Sequence, residues 1–93
     1  MLKIKDNVDL KELEKFGFEF KKVKKIGLNY NVYEKKLFLG SIDIYPDKTY
    51  RKNYDRKVLL HTSDRSWYYE TNNDALDTIF DLISAGLVEK VGE

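Results

Sequence analysis

Apolar side chains return along this chain at two spacings, three to four residues towards both ends and two residues in between, a pattern that predicts helices flanking a sheet. Near the start, Leu10, Leu13 and Phe16 recur at i, i+3 and i+6, with Lys11, Glu12, Glu14 and Lys15 on the wet side. Asp9 stands where a capping residue would, with Glu12 at the third helical position, and Gly17 ends the segment. A helix of this length does not persist alone in water, so its apolar stripe must dock on something. Ahead of it, Leu2 and Ile4 alternate with Lys3 and Lys5 as a short extended lead-in.

From Phe18 the period is two. Phe18 and Phe20 face one way and Glu19 and Lys21 the other, while Val23 falls out of phase, which predicts either a bulge near Lys21 and Lys22 or a strand end there with a new segment beginning around Gly27. Leu28, Tyr30 and Val32 form the next alternating set, and beyond Glu34-Lys35-Lys36 a further strand carries Phe38, Ile42 and Ile44; together they predict a hairpin reversing at the charged triplet. Tyr45-Pro46-Asp47-Lys48 predicts a type I turn, with proline and aspartate at its centre. Residues 49–56 alternate tyrosine with charge and read as a poorly covered strand or a loop. Val58, Leu59 and Leu60 predict a buried strand, Thr62 to Ser66 a turn, and Trp67, Tyr68 and Tyr69 the last strand.

The closing helix carries the strongest pattern. Leu76, Phe80, Ile83 and Leu87 gather on one side, expected to be core, and Asp74, Asp77 and Asp81 on the opposite side. Asn73 is the expected cap, and Gly86 followed by Leu87 predicts a Schellman ending. The expected fold is α+β: an antiparallel four- to five-stranded meander with a short N-terminal helix and a longer C-terminal helix packed on it. Its 93 residues make one domain, 1–93, because a chain of this size buries only about 60 to 65 per cent of its unfolded surface and cannot support two cores.

Hydrophobic residues make up 42% of the chain and aromatic ones 14%, which marks a folded chain despite 35% charge. With no cysteine there are no disulfides or thiolate metal sites, and a reducing cytoplasm fits. Acidic residues interrupt the early lysines, no apolar run of signal-peptide length follows them, and none approaches the roughly 20 residues needed to span a bilayer. Net charge is +1, yet residues 1–60 hold 15 basic and 9 acidic side chains and residues 61–93 hold 2 and 7, giving halves of +6 and −5. Folding is expected to bring these halves together so that they neutralise; the alternative is a basic surface for an anionic partner.

Candidate chemistry is sparse. The lone histidine, His61, sits in a predicted strand, and neither Ser63 nor Ser66 has a nucleophile-elbow setting, so no catalytic residue is expected. Without cysteine, a metal would have to be held by carboxylates such as Asp74, Asp77 and Asp81, which read instead as solvated helix charge near a favourable dipole end; no metal or cofactor is expected. Gly27 and Gly40 stand alone rather than forming a phosphate loop. The segment rich in tyrosine and arginine offers a binding surface of Tyr50, Arg51, Tyr54, Arg56, Lys57, Arg65 and Trp67, since Tyr, Trp and Arg dominate interface hot spots. The same side chains could stack and neutralise single-stranded nucleic acid.

The stretch Ile4-Lys5-Asp6-Asn7-Val8-Asp9-Leu10-Lys11-Glu12-Leu13-Glu14-Lys15-Phe16-Gly17-Phe18 and the stretch from Ala75 to Ile83 running into Ala85–Val91 together resemble a group of small uncharacterised proteins from low-GC Gram-positive bacteria and their phages. The likeness covers both ends of the chain and fades in the sheet. It implies a cytoplasmic, phage or prophage-derived protein, and it brings no activity with it. The expected function is a non-enzymatic protein-binding or regulatory module, partnered by another protein or by itself and without a membrane role. The alternative is a single-stranded nucleic-acid-binding domain.

Overall fold

In a computed structural model describing residues 1–62 and 73–92, the chain runs β1 (Leu2–Ile4), a 3-10 helix (Leu10–Phe16), β2 (Glu19–Lys25), β3 (Leu28–Leu37), β4 (Gly40–Ile44), β5 (Val58–Thr62), α1 (Asn73–Ser84) and β6 (Val88–Lys90). Strands β2-β3-β4-β5 form a four-stranded antiparallel meander, and β1 and β6 pair in a separate two-stranded sheet. The α+β meander with two helical elements is therefore as the sequence predicts. Thr62, the expected start of a turn to Ser66, ends β5, and the rest of that turn and the expected strand at Trp67 to Tyr69 lie outside the described residues.

The first helical segment is 3-10 rather than α, and the i, i+3, i+6 spacing of Leu10, Leu13 and Phe16 suits it, because three residues per turn places all three on one line. Asp9 caps it by accepting a hydrogen bond from the Lys11 amide. At its end Gly17 is left-handed (φ 90°), the Phe18 amide donates to Leu13 O, and Leu13 and Phe18 are both buried. This is a Schellman closure with its hydrophobic contact.

Two strand expectations are corrected. Strand β2 has unbroken register from Glu19↔Glu34 to Lys25↔Leu28, with Val23 opposite Tyr30 on the same side as Lys21, so no bulge is needed: both faces of β2 carry apolar residues. The next reversal lies at Phe38–Leu39 rather than at Glu34-Lys35-Lys36, whose residues pair with Asp43, Ile42 and Ser41. The charges stay in the strand because each finds a place. Glu34 takes the Lys21 ammonium, and the aliphatic stem of Lys35 lies over Gly17. Strand β5 is less buried than predicted, with Leu60 exposed.

One face of the meander, bearing Tyr33, Ile42 and Ile44, meets Ile4, Leu13, Phe18 and Leu82 in the core. Pairing of β1 with β6 brings the two ends of the described chain together and was not foreseen: the Val91 amide donates to Met1 O at 2.9 Å.

The orientation of α1 overturns the predicted core face. Ala75, Thr78 and Leu82 are buried, with Ile79 packed beside them, whereas Leu76, Phe80 and Ile83 are 55%, 67% and 52% exposed. At 100° per residue the apolar residues of α1 cover about half its circumference, more than one packing face can use. Tethers at both ends decide which part goes in. Asp74 accepts a hydrogen bond from the Phe38 amide (2.7 Å), and after Gly86 (φ 74°) the Leu87 amide returns to Leu82 O while Leu87 O accepts from the Lys5 amide. The small Ala75 and Thr78 then line the core side. The Thr78 hydroxyl donates to Asp74 O, which lets it be buried without a lost hydrogen bond.

Candidate interaction surfaces

The loop between β4 and β5 gathers three of the predicted binding residues, Tyr50, Arg51 and Tyr54, around a set of packed tyrosine rings. Asp47 accepts from the amide and hydroxyl of Thr49 and from the Asn31 side chain, while the Thr49 hydroxyl accepts from the Asn31 amide, pinning the loop beside β3. Burial pushes the Asp47 carboxyl up, but the Thr49 and Asn31 hydrogen bonds together outweigh it and hold the group below its ordinary range. Tyr50 then lies flat on Tyr45, with centroids 4.5 Å apart and planes 8° apart, and edge-on to Tyr30. Tyr45 itself is buried, and that burial, with Asp43 next in effect, pushes its hydroxyl well above the ordinary phenol range. The Arg51 guanidinium lies 5.4 Å from the Tyr50 ring and 5.5 Å from the Tyr54 ring.

Arg56 serves the fold. In the turn closed by the Lys57 amide donating to Tyr54 O, Arg56 adopts φ 66°, the one left-handed non-glycine residue among those described. Its guanidinium points inward, donating to Ile4 O, Lys5 O and Val8 O. Lys57 bridges backbone to Lys3 in β1. Of the seven residues predicted to bind, Tyr50, Arg51 and Tyr54 are brought together, Arg56 and Lys57 join the loop to β1, and Arg65 and Trp67 lie outside the described residues. Among the described residues this leaves a stacking surface the Arg51 guanidinium, already laid across two rings.

The other side of the meander carries a polar row. Glu34 and Asp43 are directly opposed across β3 and β4, with Lys21 bonded to Glu34, the Ser41 hydroxyl donating to Asp43, and His61 Nε2 3.5 Å from Asp43. Burial raises the Asp43 carboxyl above its ordinary range, opposed in part by Ser41 and His61. The Lys21 ammonium is raised by its hydrogen bond to Glu34. Because Ser41 donates to the carboxylate and the imidazole is 53% exposed, the row holds a serine–aspartate contact rather than a serine aimed at its base.

The surface that the sequence assigned to the core is the third. Leu76, Phe80 and Ile83 form an exposed apolar stripe on α1, flanked on its outer side by Asp77 and Asp81. Phe38, also exposed, sits at the turn that Asp74 ties to the first turn of the helix. Its sequence signal was the surplus itself: Ala75, Thr78, Ile79 and Leu82 already make a complete i, i+3, i+4, i+7 face. Nor, among the described residues, does any lysine or arginine form an ion pair across the two charged halves. Among the described residues the lysine and arginine pairs are Lys3–Asp6, Lys15–Glu12, Lys21–Glu34 and Arg56–Asp6, all within the first sixty residues, while the aspartates of α1 have none.

No helix among the described residues is long and apolar enough to cross a membrane, and none of their His, Asp and Glu side chains form a group of three or more able to hold a metal ion. No protein-family model, curated protein or solved structure matches the chain.

Proposed function

We propose that this protein is a non-enzymatic binding module whose partner is a protein, seated on the exposed stripe of α1. One observation carries the reading: Leu76, Phe80 and Ile83, a set with helical i, i+4, i+7 spacing, face solvent on a helix whose opposite side is fully packed. Large apolar side chains at such spacing, beside the exposed Phe38 and rimmed by aspartates, have the make-up of an interface core with a polar margin. The aromatic loop supports this less directly, since its rings are largely engaged with one another.

A photo-crosslinking amino acid at position 80 tests the reading in cells, with the same group at the exposed Lys52 as the control. Protein adducts at position 80 and not at 52 are expected. Equal labelling at the two positions, adducts of nucleic acid only, or none would overturn it.

A further inference from the structure

The β2–β3 hairpin ends in a feature that complements the α1 stripe. Lys24, Lys25 and the turn residue Ile26 are exposed, and Leu28 follows at the start of β3. It presents apolar side chains among lysines, as α1 presents apolar side chains beside aspartates. Within one chain these features stand apart. The hairpin tip is at the Leu28 end of β3, while the first turn of α1 is tied to Phe38 just past the other end, and ten extended residues place those ends about 30 Å from each other.

We infer that a second copy of this chain covers the stripe: the Lys24–Leu28 tip of each copy lies on Leu76, Phe80 and Ile83 of the other, its lysines against Asp77 and Asp81, in a reciprocal two-fold pair. Charge complementarity names the occupant. The chain is near neutral as a whole, at +1, yet its two halves differ in sign, at +6 and −5, and among the described residues no lysine or arginine pairs across that division. Reciprocity follows from size. A stable interface needs roughly 800 Å² per partner, more than one hairpin tip supplies, and a two-fold axis forms the contact twice. Edge-to-edge pairing through β2, which its lysines discourage, is not required.

The inference rests on the proposed reading of the stripe and can fail without it. Analytical ultracentrifugation of the full chain is expected to show a dimer at low salt that dissociates at least about tenfold more readily in high salt. Reversing the tip (Lys24→Glu with Lys25→Glu) or the helix (Asp77→Lys with Asp81→Lys) is expected to give monomers. An equimolar mixture of the two variants should dimerise again, because both contacts of the mixed pair are then complementary. Ile26→Asp, a change at a solvent-facing turn, should also give a monomer. A wild-type chain that stays monomeric at low salt, a reversed variant or Ile26→Asp variant that dimerises as tightly as wild type, or a mixture no tighter than its components would overturn the inference. If the chain is monomeric but position 80 still captures a different protein, the binding-module reading stands and self-association alone is rejected.

Discussion

Truncating Arg56 to alanine is expected to destabilise the domain by about 2 to 4 kcal/mol, a large effect for a residue in a surface turn. Its side chain is 17% exposed, and Nη2 donates to Lys5 O and Val8 O at 2.6 Å each, with a weaker Nε contact to Ile4 O at 3.4 Å. Hydrogen bonds from a charged donor contribute roughly 1.5 to 3 kcal/mol apiece, so the two short ones are worth roughly 3 to 6 kcal/mol, part of which water at the freed carbonyls restores. A second substitution separates the side chain from the backbone. The left-handed φ of 66° costs an L-residue about 1 to 2 kcal/mol, and the Arg56 backbone is held there by its amide donating to Tyr45 O and its carbonyl accepting from the Ile4 amide. Alanine keeps that strain and glycine relieves it, so Arg56→Gly should be more stable than Arg56→Ala by about 1 kcal/mol. Urea unfolding with a common m-value reads both, and the alanine variant should melt about 10 to 25 °C below wild type. An alanine variant within about 0.5 kcal/mol of wild type, or a glycine variant less stable than the alanine one, would refute this account.

The orientation of α1 makes a paired prediction, read in high salt where the copies are apart: Phe80→Ser should change unfolding free energy by no more than about 0.5 kcal/mol, whereas Leu82→Ala, at a fully buried position, should cost about 2 to 5 kcal/mol. Comparable losses from the two in urea titrations would mean that the helix is turned the other way. For Asp43 the sign follows from burial. A carboxyl raised above its ordinary value of 3.8 makes the fold less stable as pH rises through the interval from that value to the raised one, with Glu34, Lys21 and His61 as its ionisable neighbours. Asp43→Asn should therefore be stabilised relative to wild type near neutral pH and lose that advantage below the interval. Unfolding midpoints at about pH 7 and about pH 3 measure it, and an advantage confined to the acidic side would contradict the assignment.

What could be read from the sequence was local chemistry; what could not was how the elements are turned and joined. Asp9, Gly17 and Gly86 announce caps because a side-chain acceptor or a left-handed residue meets a need confined to a few neighbouring positions, and all three behave as expected. Alternation in β3 and β4 likewise survives, since a strand writes its pleat into its own residues. The reversal at Phe38–Leu39 was hidden because two large apolar residues carry no turn signature, while the Glu34-Lys35-Lys36 triplet, which does look like one, is accommodated by Lys21 and Gly17 from elsewhere in the chain. Hydrophobicity alone favoured Leu76, Phe80 and Ile83 over Ala75 and Thr78 as the buried face of α1. The tether from Asp74 to Phe38 and the pairing of β6 with β1 turn the helix the other way, and both join residues distant in sequence. Of the predicted binding set, the grouping of Tyr50, Arg51 and Tyr54 was legible as a local cluster of rings and charge. The inward turn of Arg56 was not, because the carbonyls it reaches belong to residues 4, 5 and 8.

Strands β1 and β6 run antiparallel, with Leu2 opposite Lys90 and Ile4 opposite Val88, so the two ends of the described chain leave the small sheet at the same end of the ladder. A force applied to those ends would act across the strands rather than along them, loading the bonds nearest Met1 and Val91 first and opening the ladder one rung at a time. The pair should therefore open at low tension as far as Ile4, where the Arg56 contacts and the shared core take up the load.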